Sequence, residues 1–320
     1  MEFPSIDTEI ILQEGGKFVT LEDGRIVEYS VMGSTDPNAK ILVSGFIAVH
    51  RLKNHIPKAW TESWQKHNLR VIDVSIPGLG SSSFHPGAKI SDWPKTDLEP
   101  VLQAEGVSGP FYVYGTSYGC LIAMAVAQHF GPERVIRFGL RCPYLPRPLS
   151  KELGLPDGQP VMPATKTLLE NPIHVRMMRS MMCTMMKSCT TPGPIMSTLM
   201  KWGVMGRGMK LFMNFKNDHP EDAAFANAIH QNNILTPQGL LFMLAEDVAL
   251  DCPGLDIRSI QHKEDQVIVW YADDDTDCPP SHGKWLAEHF GGNHNRVLSG
   301  YGHLGASSID NPEFVDVLVS

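Results

Sequence analysis

Short apolar runs separated by helix-length segments fill the first 145 residues. Phe18–Leu21 and Ile26–Val31 flank Asp23-Gly24, the pairing expected of a β-hairpin with a tight turn. The runs Ile41-Leu42-Val43, Val71-Ile72-Asp73-Val74, Phe111-Tyr112-Val113-Tyr114 and Val135-Ile136-Arg137-Phe138 follow. They are apolar at consecutive positions, not alternate ones, which predicts strands covered on both faces and so a mainly parallel sheet. The pattern resumes at Val267–Tyr271 and Arg296–Leu298, with a helix-like segment, Gly283–Phe290, between them.

The middle of the chain differs. From Arg147 to about Ala249 no strand pattern is visible, Pro and Gly breaks recur, and eleven of the sixteen methionines fall between Met177 and Met213. Seven Lys and Arg residues between Arg176 and Lys216 meet no Asp or Glu. The shift predicts an α/β core built from residues 1–146 and 250–320, interrupted by a mainly helical insertion at 147–249. Within it Met177, Met178, Met181, Met182, Met185 and Met186 repeat as pairs four residues apart, which on a helix makes one apolar stripe. Unbranched side chains of that kind pack a flexible core or line an adaptable apolar pocket, with Met178 and Met182 as candidate substrate contacts.

The strongest chemical signal is Gly115-Thr116-Ser117-Tyr118-Gly119. An apolar strand precedes it, and Cys120–Phe130 reads as a helix closed by Gly131 and Pro132. A serine between two glycines at a strand-to-helix turn projects its Oγ from the backbone, and the helix start offers N–H groups to a developing anion.

Charge narrows the partners. A net charge of −8 and a pI near 5.9 argue against nucleic acid. Met1–Asp7 lacks the basic start and apolar run of a signal peptide, and no stretch approaches the ~20 apolar residues of a membrane span, so a soluble, cytoplasmic protein is expected. Oligomeric state is not legible here. The six cysteines show no C-x-x-C pair and no framework spacing, which predicts free thiols. Neither a zinc-type Cys/His spacing nor H-E-x-x-H occurs, and Gly78 and Gly80 lack the third residue of a dinucleotide fingerprint. No metal or cofactor is expected; the partner is a small-molecule substrate.

With strand, elbow and helix in place, the chain resembles the α/β-hydrolase superfamily in its serine-nucleophile branch with a helical cap. The resemblance implies a mostly parallel central sheet with helices on both faces, the insertion serving as lid. It also implies a nucleophile, an acid and a histidine in that order. For the acid, Ala272-Asp273-Asp274-Asp275-Thr276-Asp277-Cys278-Pro279 is similar to the family's Gly-x-x-Asp-x-x-Val-Pro. Pro279 as anchor places the acid at Asp275, with Asp274 and Asp277 open as alternatives. An EF-hand reading of the same aspartates fails, because Cys278 and Lys284 stand where Gly and Glu are needed. Gly302-His303-Leu304 after the last strand resembles the family's Gly-His loop and implies His303 as general base. Backbone N–H groups of Phe46 and Tyr118 would form the oxyanion hole, although Ser44 stands where many relatives carry His. Pro77-Gly78-Leu79-Gly80-Ser81-Ser82 resembles the family's Pro-Gly-x-Gly-x-Ser loop, read as a structural turn beside the site.

The implied activity is cofactor-free hydrolysis of an ester, lactone or thioester. Acyl transfer or carbon–carbon bond hydrolysis on the same triad, and ligand binding with vestigial catalysis, are the alternatives. Ser117 sets aside the epoxide hydrolases and haloalkane dehalogenases of the superfamily, which carry an aspartate at the elbow.

Overall fold

The structure, a computed structural model, describes residues 6–46, 53–85, 88–157, 207–229, 251–308 and 311–320. Its strands are β1 (Lys17–Thr20), β2 (Ile26–Gly33), β3 (Lys40–Phe46), β4 (Leu69–Ser75), β5 (Phe111–Thr116), β6 (Val135–Arg141), β7 (Val267–Ala272) and β8 (Arg296–Leu298). They form one sheet in the order β1-β2-β4-β3-β5-β6-β7-β8. The β1–β2 and β2–β4 pairs are antiparallel and every pair from β4 to β8 is parallel. The hairpin turns where the sequence marks it, with Gly24 at φ +81° and Thr20 paired to Ile26.

Helices named in chain order are α1 (Thr8–Gln13), α2 (Lys58–Lys66), α3 (Glu99–Ala104), α4 (Gly119–Arg134), α5 (Arg147–Glu152), α6 (Arg207–Asp218), α7 (Pro220–Ile229), α8 (Pro280–Phe290), α9 (Gly302–Ala306) and α10 (Asn311–Val319). The helix expected from Gly283 starts three residues earlier, because Pro280 suits a first-turn position whose N–H needs no partner. No helix among the described residues is long and apolar enough to cross a membrane.

Two apolar layers sandwich the sheet, and neighbouring strand residues divide between them. Val43, Ile72 and Val269 join α3, α4 and α8 on one face. Leu42, Val71 and Ile268 join α2 and α10 on the other. This two-sided burial is why the strands read as unbroken apolar runs. α4 begins with nine consecutive buried residues, Gly119–Ala127, and breaks at Gly131, whose φ is +69°.

The Pro77–Ser82 loop is structural. Glu28, wholly buried on β2, accepts the Ser81 N–H at 2.6 Å and the Ser75 hydroxyl at 3.3 Å. Ser82 Oγ accepts the Glu28 N–H and donates to the Ser75 carbonyl, both at 2.9 Å.

Candidate active site

β5 ends in a turn that the residue types require. Ser117 holds φ +56°, a left-handed conformation that costs a non-glycine residue on the order of 1–3 kcal/mol. Its N–H donates to the Arg141 carbonyl of β6 at 2.8 Å, and its carbonyl accepts the Cys120 N–H at 3.0 Å. Gly115 makes room for the turn: a Cβ there would stand 2.0 Å from the Gly119 carbonyl oxygen. The Cys120 thiol is buried and bonds the carbonyls of Gly115 and Arg141, each at 3.1 Å, which ties the first turn of α4 to both strands.

Ser117 Oγ lies 2.8 Å from His303 Nε2, and His303 Nδ1 lies 2.8 Å from Asp275 Oδ2. A carboxylate only accepts, so Nδ1 carries the ring proton and Nε2 is the acceptor for the serine hydroxyl. The three residues come from the ends of β5, β7 and β8. Side-chain exposure is 1% for Asp275 and 10% for His303, so this relay runs in a largely dry setting.

The aspartate-rich loop divides its labour. Asp275 Oδ1 accepts the N–H groups of Asp277 and Cys278, both at 2.8 Å, leaving Oδ2 for the histidine. Asp274 faces the other way and accepts the N–H groups of Gly300 at 2.8 Å and Gly302 at 3.3 Å, holding the histidine loop. Asp277 is within 3.3 Å of the Thr276 hydroxyl, which donates to it. Of the three candidate acids, Asp275 alone bonds His303.

Cys142, at φ +49° just past β6, completes the surroundings. Its sulfur, an Asp275 oxygen and a His303 nitrogen lie within 4.8 Å of one another, the one such trio among the described residues. Burial, then the Asp275 charge, push its thiol pKa well above the usual value. A neutral S–H is a donor to the carboxylate. The trio is thus a hydrogen-bonded network.

Phe46 is the last residue of β3, and Tyr118 immediately precedes α4. β3 and β5 are neighbours, with Ser44 beside Tyr114, so Phe46 stands at the sheet edge from which the elbow rises. Met178 and Met182 lie outside the described residues. Described residues between 147 and 249 reach the segment that carries His303: His219, between α6 and α7, shares a hydrogen bond with the Tyr301 hydroxyl at 3.3 Å. Phe215 and Tyr301 meet edge to face, and a Cβ on Gly305 would lie 3.0 Å from the Phe215 ring.

No protein-family model and no curated protein sequence matches the chain. Solved structures do. An α/β-hydrolase fold protein from Nakamurella multipartita is 16% identical, with 95% of this chain and 99% of that one covered at a TM-score of 0.59. An esterase from Rhodococcus sp. is 17% identical, covering 95% and 98% at 0.59. The enol-lactonase from Burkholderia xenovorans is 17% identical, covering 95% and 96% at 0.53. The chain has the α/β-hydrolase fold.

Within the α/β-hydrolase fold, Ser44 beside the elbow strand has a carboxylic acid as its neighbour. Asp73 of β4 lies directly across from it and is buried. Burial raises the Asp73 pKa well above the carboxylate range, opposed by a hydrogen bond from Ser44. The Tyr114 hydroxyl also bonds Ser44, and burial, then the Asp73 charge, push its pKa up to about 12. An acid inside the apolar run Val71–Val74 is the signal of this buried group in the sequence.

Because the unfolded chain releases the Asp73 proton near pH 4 and the folded one keeps it, stability falls as pH rises from there. The slope from this group is about 1.4 kcal/mol per pH unit up to the raised native value. Asp73→Asn removes that slope. The variant is therefore expected to match the parent near pH 4 and exceed it increasingly toward neutrality. Denaturant melts at several pH values test this; a difference that does not change with pH contradicts it.

Proposed function

We propose that this chain is a cofactor-free serine hydrolase that cleaves an ester, lactone or thioester bond of a moderately sized, partly apolar small molecule. The observation that carries the reading is the unbroken relay Ser117 Oγ–His303–Asp275, with both links at 2.8 Å and the tautomer required for base catalysis. The esterase and the lactonase among the similar structures support the ester and lactone classes.

In this mechanism His303 Nε2 takes the Ser117 proton as Oγ bonds to the acyl carbon, and Asp275 stabilises the imidazolium. The carbonyl electron pair moves onto oxygen, where the N–H groups of Phe46 and Tyr118 receive it. Collapse expels the alcohol or thiol, which leaves with the proton from Nε2. Water then attacks the acyl-enzyme, giving up a proton to His303; as the acyl–Oγ bond breaks, that proton returns to Ser117 Oγ and the carboxylic acid departs. Residues 147–249 act as the cap, and the packing of Phe215 of α6 against Tyr301 and Gly305 supports a lid seated over the base.

A fluorophosphonate tests the reading directly. One equivalent is expected to attach to Ser117, with no attachment in Ser117→Ala and a strongly slowed reaction in His303→Ala, followed by intact mass and peptide mapping. A folded parent protein that takes up no probe overturns the hydrolase.

A further inference from the structure

We propose that Arg141 is a positioning residue that fixes the distance between the nucleophile and its base. The proposal rests on the triad reading above.

Arg141 ends β6 and is wholly buried. Enclosing a guanidinium is costly unless its donors are met, and an apolar side chain would pack the same space more cheaply. One of its bonds is directed at the helix that carries the base, and another at α10. Nη2 donates to the Ala306 carbonyl at 3.0 Å, and Nη1 to Asn311 Oδ1 at 3.1 Å. Ala306 is the last residue of α9, whose second residue is His303. A five-residue helix cannot hold its own geometry, and its terminal carbonyls need outside donors. Arg141 supplies one from below.

The backbone of the same residue holds the nucleophile. The Arg141 carbonyl accepts the Ser117 N–H at 2.8 Å and the Cys120 thiol at 3.1 Å. One residue thus joins the elbow through its main chain to the histidine helix through its side chain. The guanidinium is also clamped over Phe314 at 5.3 Å and Trp270 at 5.8 Å, which sets its plane. Removing the side chain leaves the elbow tethered and frees the base to drift from Oγ. Small displacements of this kind lower turnover without changing how substrate binds.

The test compares Arg141→Met, Arg141→Lys and Asn311→Ala with the parent, using p-nitrophenyl esters for steady-state kinetics and a fluorophosphonate for the rate of Ser117 modification. In folded Arg141→Met, kcat and the labelling rate are expected to fall together about 100-fold, with KM within about twofold. Arg141→Lys, which can still reach one carbonyl, recovers part of the loss. Arg141→Met labelled at the parental rate, or a loss carried by KM, overturns the proposal. If Arg141→Met does not fold, Asn311→Ala decides: a labelling rate about tenfold lower supports the clamp, and a parental rate overturns it. A parent protein that is never labelled overturns the hydrolase reading itself, a result distinct from a labelled parent with indifferent variants.

Discussion

Asp275→Asn is expected to lower kcat for an activated ester about 10⁴-fold while leaving the protein folded. The reason lies in the bonds to the carboxyl group. Its Oδ1 accepts two backbone N–H groups, from Asp277 and Cys278, so the oxygen of an asparagine is compelled to occupy that position. The amide nitrogen then faces His303 Nδ1, where the carboxylate oxygen stood. Two donors cannot face each other. The imidazole answers by giving up the Nδ1 proton, which moves to Nε2 and points at Ser117. A base that already carries its proton cannot take another from the nucleophile, and the imidazolium loses its counter-charge as well. Asp274→Asn is the contrast. That side chain accepts from Gly300 and Gly302 and an amide oxygen can still serve one of them, so activity is expected to stay within about tenfold. Steady-state rates for both variants, with circular dichroism as the folding control, check the pair. Equal losses in the two would remove the special place given to Asp275.

Gly115→Ala should produce a large structural effect from a single added methyl group. The new Cβ would meet only backbone: 2.0 Å to the Gly119 oxygen, 2.3 Å to the Gly119 carbon and 2.7 Å to the Cys120 nitrogen. No side chain can rotate away to relieve the overlap. α4 must move off the sheet or the elbow must open, and nine buried residues at the start of α4 resist the first. We expect a stability loss of about 3 kcal/mol or more, together with loss of Ser117 labelling in whatever folded fraction remains. Gly24→Ala, at φ +81° with nothing within 4 Å, should cost only about 1 kcal/mol and leave labelling intact. Thermal melts and probe incorporation on the two proteins separate a clash from a mere backbone preference.

Much of the site was legible because its residues sit in local patterns. The glycines around Ser117 mark the turn, and His303 follows the last strand by five residues. Every strand of the sheet was visible as an apolar run. The choice among Asp274, Asp275 and Asp277 was not settled by the sequence, since alternating aspartates look alike until it is known which backbone N–H groups each one meets. Arg141 was invisible for a different reason. The apolar run of β6 fades after Phe138, where Gly139 is forced by the Phe314 ring, only 2.5 Å from where its Cβ would be. The side-chain partner of Arg141, Asn311, lies 170 positions along the chain, beyond any local pattern. Asp73 shows the same limit: its burial depends on strands and helices packed from both sides.

In the proposed mechanism the two atoms that react together, on Ser117 and His303, belong to residues 186 positions apart. A ribosome delivers the amino-terminal part of a chain first. Each growing molecule therefore exposes a serine with nothing to activate it, and the base arrives only with the final strand of the sheet. On that mechanism the chemistry waits for assembly, and a copy cut short before β8 is expected to leave esters intact.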